Sequence, residues 1–555
     1  MLGLSRKGEA MIRALMVAAA VAWTAIACGG SESTPAAGTG AGADVGSAAD
    51  SGAPTADPGA PGADPGGPVE PPPPTPEGPS DGKVAYPPPI GKISCQDTLF
   101  VDAPGLTWVE VDVAPSAGMD GLRSAINDSD RAKPTRIRVA AGTYTGQCLY
   151  VEDHLRTAAA PLWLQAQGAV QIDCSDGNGQ AFGFVHSSYI AIEGFTFGPE
   201  TGYYGDSGVH VGGRPYHPED PASYGLWEAS HHFIIRGNVM RNLNRGPDGD
   251  GNADHYESGC CDGAKSNQTE WVWYIGNTIS RTARHGIDNV GVHHAAACGN
   301  HFFDMVGEGQ GVEAKGGSYD ILFEANTFDR VFHRALMLGG EGTNNNFMWP
   351  TDFPSEAYGI VARNNAIVNA SDGGVTFYGC WSCAAVNNSV WFTPGYKLVE
   401  THDFMRMYPS VLEDGVYDEW GQAKRVGEVL TNKGNRVVNN LFGAAGGDAT
   451  CALDAAGDGN GTLELTMHHN LLWNGGSPLP ECGEGKNSIA GYPDAGSFAD
   501  PKVTAAGAFP ATKANLAPLA GSPLISAGVA DPAAPPADAQ GKARSSPPSI
   551  GAYEP

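Results

Sequence analysis

One short pattern recurs through the middle of this 555-residue chain and constrains its fold more than any other feature. An apolar segment ends in Gly-Asn, Ala-Asn or Asn-Asn, and a polar stretch and then Gly-apolar-x-x-x-Gly often follow. Residues 274–277 lead in this way to residues 286–291, and residues 297–300 lead to residues 311–316. Repeats of about 20–25 residues, with short alternating strands and no helical periodicity, are typical of a β-solenoid. Equivalent residues of successive coils then lie about 4.8 Å apart, so the repeat predicts which distant residues become neighbours.

The composition agrees with a turn-rich β protein and argues against nucleic acid as a partner. The chain has 77 glycines among 555 residues, well above the usual share of about 7 %. Its formal net charge is −28, whereas binding to nucleic acid needs clustered Lys and Arg. An acidic substrate would therefore have to be held by a local basic or metal-bearing patch.

The N-terminus has the pattern of an export signal. A basic segment, residues 6–13, precedes the apolar residues 14–27, which are too few to span a membrane comfortably. This stretch ends in Ala-Ile-Ala-Cys-Gly, which resembles a bacterial lipobox with Cys28 as the lipidated residue, and ordinary cleavage after Ala27 is the alternative. We expect an exported lipoprotein of the outer membrane or cell surface that contacts the membrane through its lipid anchor only.

The sequence predicts four regions along the chain. Residues 1–28 are the signal peptide, and residues 29–90 are a disordered linker rich in Pro, Gly and Ala, whose composition cannot form a core. Residues 91–500 form the solenoid, and residues 501–555 form a closing segment packed on it. We expect this protein to be a monomer.

The cysteines predict disulfides. Removing Cys28 from the 11 cysteines leaves ten, an even number in an exported chain. Their connectivity cannot be read from the sequence. Cys380 and Cys383 have the spacing of half a zinc site, but a second half is not evident, so a disulfide is favoured.

Both ends of the solenoid carry a resemblance to a known family. Residues 119–127 predict a short amphipathic helix, and residues 137–144 predict a strand and turn. This pair resembles the N-terminal cap of right-handed parallel β-helix proteins of the pectate-lyase-like superfamily, and residues 549–554 resemble their closing segment. The resemblance implies an all-β fold, a single-stranded right-handed parallel β-helix with an N-terminal helical cap. One fold hosts many activities, so the resemblance specifies the fold better than the chemistry.

Aligning the four central coils on their closing Gly predicts which side chains face the core. The inward positions are Ile287, Val312, Ala335 and Val375, followed by Asn289, Ala314, Met337 and Phe377. The outward positions are His210, Asp288, Glu313, Leu336 and Thr376, followed by Val290, Lys315, Leu338 and Tyr378. The alignment gives Arg334 the place of Gly286 and puts His333 in the column of His285 and Gln310.

These outward positions bring charged side chains together near the centre of the solenoid. We expect Asp288, Glu313 and Lys315 to meet there with Arg334, His285 and His333. Carboxylates on adjacent coils repel each other unless a cation or a base lies between them, which favours a functional cleft. A solvated face with ordinary ion pairs is the alternative.

A more specific resemblance lies within this region. Glu308, Lys315, the segment 318–328 and Arg334 resemble the catalytic stretch of the β-helical alginate and chondroitin lyases. In that family an acidic pair binds Ca²⁺, a following Lys is the base, and an Arg on the next coil assists. The resemblance implies that Glu308 is a metal ligand, Lys315 the base and Arg334 its partner.

The implied reaction is β-elimination on an acidic, uronate-containing polysaccharide. A bound Ca²⁺ would neutralise the uronate carboxylate and stabilise the developing enolate. The second family carboxylate falls on Gln310, so Glu313 and Asp288 become the candidate ligands beside Glu308. Tyr378 or His333 would protonate the leaving oxygen. The side chains expected to contact the substrate are His210, His285, His333 and Tyr378.

A second Ca²⁺ site is expected in a Gly-rich loop. Asp248, Asp250 and Asp254 place oxygen ligands at alternating positions and resemble the first half of an EF-hand loop. A solvated acidic loop is the alternative. The paired histidines 231–232, 293–294 and 468–469, and the Asn residue that ends each repeat, are interpreted as turn residues.

Two further functions remain open beside the lyase. A hydrolase would use Asp288 with Glu313 or Asp304, but the motifs of the β-helical polygalacturonases are incomplete here. A non-catalytic glycan-binding or structural surface protein is the other alternative. Long insertions favour a built groove, because several carry Tyr or Trp; they are residues 202–227, 246–269, 341–357 and 393–428.

Overall fold

The computed structural model describes most of the chain from residue 87 onward. The described residues are 87–88, 90–174, 179–205, 207–215, 227–228, 230–244, 261–307, 309–341, 343, 348–350, 352–394, 403–412, 427–455, 464–482, 489, 492, 494–504 and 516–555. Several predicted features lie outside these residues: the export signal with Cys28, the linker up to residue 86, and Asp248, Asp250, Asp254 and Glu308. The described residues contain no helix with the length and apolar character needed to span a bilayer.

The described elements are short strands with a single α-helix near the start. The helix α1 is Gly118–Asn127, and a 3₁₀ turn, Pro115–Ala117, precedes it. The strands are β1 (Val109–Val113), β2 (Thr135–Gly146), β3 (Leu149–Glu152), β4 (Leu162–Cys174), β5 (Gln180–Val185), β6 (Ser188–Phe197), β7 (Ser207–Gly212), β8 (Arg214–Pro215), β9 (Trp227–Glu228), β10 (Ser230–Arg236), β11 (Val239–Arg241), β12 (Ala264–Asn267), β13 (Thr269–Ile275), β14 (Thr278–Ser280), β15 (His285–Val290), β16 (His293–Cys298), β17 (His301–Phe303), β18 (Gln310–Lys315), β19 (Ser318–Glu324), β20 (Thr327–Val331), β21 (Leu336–Gly339), β22 (Ala357–Tyr358), β23 (Val361–Arg363), β24 (Ala366–Ala370), β25 (Val375–Tyr378), β26 (Cys380–Trp381), β27 (Ala384–Val386), β28 (Ser389–Phe392), β29 (Asp403–Tyr408), β30 (Ser410–Val411), β31 (Val429–Leu430), β32 (Asn435–Val438), β33 (Leu441–Ala444), β34 (Cys451–Ala455), β35 (Leu465–His468), β36 (Asn470–Asn474) and β37 (Gly496–Phe498).

The strand pairing confirms the predicted parallel β-helix. Each central coil contributes three strands in sequence, such as β15, β16 and β17, and these pair in parallel with β18, β19 and β20 of the next coil. Among the described residues, 23 strands join into one sheet that covers two faces of the solenoid, here called sheet 1. Ten strands, β3, β5, β7, β12, β15, β18, β21, β25, β29 and β34, form the third face, here called sheet 2.

The Gly-Asn, Ala-Asn and Asn-Asn pairs form the turn between the two faces of sheet 1. The first residue of each pair has a left-handed backbone, as at Gly276 (φ 61°) and Ala325 (φ 56°), which explains why Gly or Asn is frequent there. The second residue is a buried Asn that belongs to a continuous ladder. In each step the Asn side-chain oxygen accepts hydrogen bonds from the backbone N–H and the side-chain amide of the preceding Asn, as Asn300 does from Asn277. The ladder comprises Asn238, Asn277, Asn300, Asn326, Asn365, Asn388, Asn440 and Asn470.

An apolar column fills the interior, and other segments close the ends and sides. Met119, Leu122 and Ile126 of α1 are buried in the main core, so the predicted cap helix is confirmed. Leu524 and Tyr553 near the C-terminus pack in a separate apolar cluster, whose members from the solenoid are Ala366, Val368, Trp391, Leu441 and Leu471. Disulfides are also confirmed, with the pairs Cys95–Cys298, Cys148–Cys174, Cys380–Cys383 and Cys451–Cys482.

The predicted alternation holds on β15 and β18 but is wrong on β21. Ile287 and Val312 lie in the core, and Asp288 pairs with Glu313 as expected. On β21, however, Val312 pairs with Leu336 instead of Ala335, and Glu313 pairs with Met337.

A double glycine explains the error on β21. Gly339 pairs with Tyr378, so Gly340, and not Gly339, takes the place of the closing Gly379. The whole strand is therefore displaced by one residue relative to the prediction. Because Val312 pairs with Leu336, Gln310 lies beside Arg334, two residues earlier on each coil. Arg334 therefore occupies the column of His285 and Gln310, which the sequence alignment gave to His333.

Candidate functional site

The outward side of sheet 2 carries two adjacent groups of buried charged side chains. The central cluster lies on β12, β15 and β18 and their leading edges; it comprises Asp262, Lys265, His285, Asp288, Glu313 and Lys315. The arginine cluster follows on the next coils; it comprises Arg334, Glu341, Asp372, Tyr378, Asp403, Arg406, Tyr408 and Asp454. Parallel pairing stacks these residues, because Lys265, Asp288 and Glu313 occupy one register position on three neighbouring strands.

His285 connects two carboxylates in the central cluster. Asp262 Oδ1 accepts the backbone N–H of His285 at 3.1 Å and lies 2.9 Å from its Nδ1, which fixes the ring. On the other side of the ring, Nε2 lies 2.9 Å from Glu313 Oε2. The second contact is a close ion pair whose angles depart from those of a hydrogen bond, since Glu313 Oε2 has no aligned donor among the described residues.

Two lysines complete the central cluster. Lys265 Nζ donates to Asp288 Oδ2 at 2.6 Å and lies 3.9 Å from Asp262. Lys315 Nζ lies 2.9 Å from Glu313 Oε2 and 3.8 Å from Asp288 Oδ1. Glu313 Oε2 is thus shared between Lys315 and His285, and Asp288 is shared between both lysines.

The central cluster balances its charges. Burial opposes a charge on His285, but Asp288 and Glu313 more than offset it and raise the pKa of His285 to about 9. Burial also acts against ionisation of Asp262, yet Lys265 and His285 hold the pKa of that carboxyl well below its usual range. Three basic side chains thus face three acidic ones in this cluster.

The arginine cluster is an alternating chain of guanidinium groups and carboxylates. Asp372 joins the two arginines, with Arg334 Nη2 at 2.8 Å and Arg406 Nη2 at 2.6 Å. Arg334 Nη2 also lies 2.6 Å from Glu341 Oε1, and its guanidinium carbon lies 5.1 Å from the centre of the Tyr378 ring. Arg406 Nε donates to Asp403 at 3.0 Å. Burial raises the pKa of Asp403 to about 6 although Arg406 opposes that shift.

The structure brings together four of the predicted residues and places the others nearby. His285, Asp288, Glu313 and Lys315 meet in the central cluster as expected. Arg334, expected beside Lys315, is instead paired with Glu341 and Asp372 in the arginine cluster.

His333, Tyr378 and His210 lie at the margins of the two clusters. The side chain of His333 is 28 % exposed, and its Nδ1 lies 3.9 Å from Asp372. Burial and the charge of Arg334 lower the pKa of His333, which favours the neutral ring over the protonated form that could donate a proton. His210 pairs in register with Lys265 and contacts Gln180 and Asn267 at 3.3 and 3.2 Å. Burial and Lys265 lower the pKa of His210 to about 4, so this ring is neutral at pH 7.

One set of side chains among the described residues has the spacing of a metal site. Ligand atoms of Asp262, His285 and Asp288 lie within 4.8 Å of one another. This set does not fit Ca²⁺, which prefers oxygen ligands only. Lys265 Nζ already contacts Asp288 at 2.6 Å, and the cluster has no uncompensated negative charge to offer a divalent cation. Lysine and histidine side chains face Asp288 and Glu313 within this cluster.

Sequence reasoning missed several members of both clusters because two strands were read as insertions. Lys265 lies on β12 and Arg406 on β29, inside the segments 246–269 and 393–428. A signal for β12 was present, because Gly-Ala-Lys-Ser-Asn-Gln matches the repeat except at its last position. Gln268 there has the left-handed backbone (φ 41°) that Gly291 has in the next coil (φ 59°).

Comparisons with known proteins find similar folds at low identity. The chain matches no protein-family model and no curated protein sequence. Among solved structures, the A-module of the mannuronan C-5 epimerase AlgE6 from Azotobacter vinelandii is 13 % identical, with a TM-score of 0.44 over 69 % of this chain and 95 % of that one. Pectate lyase Pel9A is 10 % identical, with a TM-score of 0.38 over 81 % and 97 % of the two chains. An alginate lyase from Paenibacillus sp. str. FPU-7 is 14 % identical, with a TM-score of 0.30 over 50 % and 93 %. The fold assignment rests on the strand pairing of this chain, and the functional assignment rests on the geometry of its own side chains.

Proposed function

We propose that the outward face of sheet 2 binds a uronate-containing polysaccharide and cleaves it by β-elimination. One observation carries this proposal: Glu313 Oε2 lies 2.9 Å from both Lys315 Nζ and His285 Nε2, and Asp262 supports the far side of His285. Such a row of buried ionisable groups at ion-pair distance is typical of acid–base sites and is a costly way to build a scaffold.

Lys315 is the proposed base. A rotation of the Glu313 carboxylate toward Lys315 aligns it to accept the ammonium proton, which leaves a neutral amine. This amine removes the C5 proton of the uronate, the electron pair forms the C4–C5 double bond, and the C4–O bond to the leaving sugar breaks. Tyr378 donates a proton to the leaving oxygen, since burial keeps its hydroxyl protonated by raising its pKa.

Positive side chains stabilise the intermediate in this scheme. Removal of the C5 proton places negative charge on the uronate carboxyl group. Lys265 and the His285 imidazolium are the cations nearest to Lys315 in the central cluster, and they act in a buried environment where such interactions are strong. Ca²⁺ takes no step in this proposal.

A second candidate is a non-catalytic glycan-binding or structural surface protein. The burial and the charge balance of the central cluster favour it, because Asp288 and Glu313 are at most 1 % exposed. A satisfied network of buried ions can act as a specific fastening between coils without any turnover.

The experiment measures new double bonds. Purified protein is incubated with polymannuronate, polyguluronate and polygalacturonate while ultraviolet absorbance is followed, with Ca²⁺ and with a chelator. We expect product in both conditions and a loss of about a hundredfold or more in the Lys315→Arg variant. Arginine keeps the positive charge between Glu313 and Asp288 but cannot act as a base.

Lys133→Ala is the matched control. Lys133 also pairs with a carboxylate, Asp130 at 2.9 Å, but it is exposed and belongs to neither cluster. Equal activity of Lys315→Arg and the wild type would refute the proposed base. Reducing sugar released without absorbance would indicate hydrolysis, and retention on a polymer without product would support the second candidate.

Export and lipidation are part of the proposal. The predicted lipobox cysteine, Cys28, and the Pro-rich linker would hold the β-helix away from a membrane surface where polysaccharide is accessible. Incorporation of labelled fatty acid into the wild type, and its loss in Cys28→Ser, tests the anchor.

A further inference from the structure

Two buried polar atoms without partners belong to neighbouring residues on adjacent coils. Gln310 and Arg334 are neighbours on adjacent coils, since the N–H of Gly311 donates to the carbonyl oxygen of Arg334 at 2.8 Å. Among the described residues, Gln310 Oε1 has no hydrogen-bond donor and Arg334 Nε has no acceptor. An unmatched buried donor or acceptor costs about 1–3 kcal/mol. Arg334 Nε lacks an acceptor and Gln310 Oε1 lacks a donor, so a ligand that carries both an acceptor and a donor group would suit the two atoms.

Glu341 is the more exposed of the two carboxylates that contact Arg334 Nη2. Its Oε1 lies 2.6 Å from Arg334 Nη2, and its side chain is 32 % exposed, whereas that of Arg334 is only 5 % exposed. Asp372 also binds Arg334 but is 10 % exposed and held by Arg406 as well. Glu341 is therefore the carboxylate that a solute can replace most easily.

We propose that Glu341 holds the place of a substrate carboxylate, and that a uronate unit displaces it to bind Arg334 and Gln310. The uronate carboxylate would accept from Nη2 and Nε of Arg334 in the paired geometry that guanidinium groups favour. A sugar hydroxyl would donate to Gln310 Oε1. The proposal deepens the proposed function, because it takes the uronate substrate class from it and names the contacts that recognise the carboxylate.

The same displacement would uncover the proposed base. Gly340 precedes Glu341 and packs on Lys315 so closely that a β-carbon at Gly340 would lie 2.7 Å from Lys315 Cβ. Lys315 is 5 % exposed in this arrangement. Release of Glu341 frees the adjacent residue to move off Lys315, so binding of the carboxylate and exposure of the amine are coupled.

The test compares Glu341→Gln with a matched control, Glu228→Gln. Glu228 on β9 also pairs with an arginine, Arg214 Nε at 2.7 Å, and its side chain is 29 % exposed, but it lies outside both clusters. Calorimetry measures binding of trimannuronate and trigalacturonate, and of the neutral mannotriose and galactotriose. We expect Glu341→Gln to bind at least one acidic trisaccharide about three- to tenfold more tightly. Neutral sugars should be unaffected, and Glu228→Gln should behave as the wild type.

The Arg334→Lys variant is expected to change binding of acidic trisaccharides in the opposite direction. A lysine keeps the charge beside Asp372 but loses the paired donors, so its preference for acidic over neutral trisaccharides should fall. Unchanged affinity in Glu341→Gln, or an equal gain for neutral sugars, would overturn the proposal. Ultraviolet absorbance is recorded in the same samples. A gain in acidic binding without new double bonds keeps this inference and rejects β-elimination, whereas double bonds without the gain do the reverse.

Discussion

The charge on His285 predicts a pH dependence of stability with a definite sign and window. The pKa of His285 rises from an ordinary value of 6.5 to about 9 on folding, because Asp288 and Glu313 outweigh the effect of burial. Below pH 6.5 the imidazole is protonated in both states, and its contribution to stability is fully present. Between pH 6.5 and 9 only the folded state keeps the proton, so stability falls as the pH rises.

The size of the effect follows from the two pKa values. The interval from 6.5 to about 9, at 1.36 kcal/mol per pH unit, corresponds to a loss of about 3 kcal/mol. The free energy of unfolding is measured by urea titration at half-unit steps from pH 6 to pH 9.5. His285→Gln is the control, because glutamine keeps a polar side chain of similar reach but cannot titrate. Subtracting its profile removes every titration that the two proteins share.

A flat difference between the wild type and His285→Gln across this window would refute the reasoning. His285 would then be neutral in the folded protein, and Glu313 would share its oxygen with Lys315 alone. A rise in stability with pH would be the opposite sign and would mean that burial, not the carboxylates, governs the ring. The expected fall would establish the imidazolium that the proposed mechanism requires near the intermediate.

Two further predictions concern the scaffold that holds the clusters. The Asn326→Ala variant loses the side-chain oxygen that accepts from the backbone N–H and the side-chain amide of Asn300. It also loses the amide that donates to Ala297 and Asn365, so we expect the free energy of unfolding to fall by about 2–5 kcal/mol. Thermal or urea unfolding measures this loss, and an unchanged midpoint would contradict the ladder. The double variant of Cys95 and Cys298 to Ala, which opens a link across 203 residues, should lose about 5 kcal/mol in the chain-entropy account, as measured by urea unfolding under oxidising conditions; a loss below about 1 kcal/mol would contradict that account.

Much of the fold could be predicted because a single local requirement is repeated in every coil. The turn needs a residue with a left-handed backbone followed by an Asn of the ladder. This pair fixes which side chains of the flanking strands face inward and which face outward. Between β15 and β18 the coil has no insertion, so the phase carried over correctly to Asp288 and Glu313. The same alternation of inward and outward side chains correctly predicted the outward position of Lys315, two residues after Glu313.

The site was predicted less completely because its register depends on positions where the repeat is ambiguous. Two consecutive glycines, Gly339 and Gly340, both suit the closing turn, and only the pairing with β25 decides between them. Gln268 closes β12 with a backbone that glycine usually supplies, which concealed Lys265. Partners such as Glu341 and Asp372 lie in loops, where no periodicity fixes their position.

Charge limits how an acidic polymer can bind to this surface. The chain has a net charge of −28, the central cluster is balanced, and the arginine cluster sets two arginines against Glu341, Asp372, Asp403 and Asp454. Adding a uronate carboxylate to this arrangement would increase an existing negative excess. Exchanging it for the carboxylate of Glu341 leaves the charge around Arg334 unchanged and moves the displaced charge toward solvent. Neutral glycans gain nothing from that exchange, so a preference for acidic polymers would have to arise at Arg334 rather than from a basic surface.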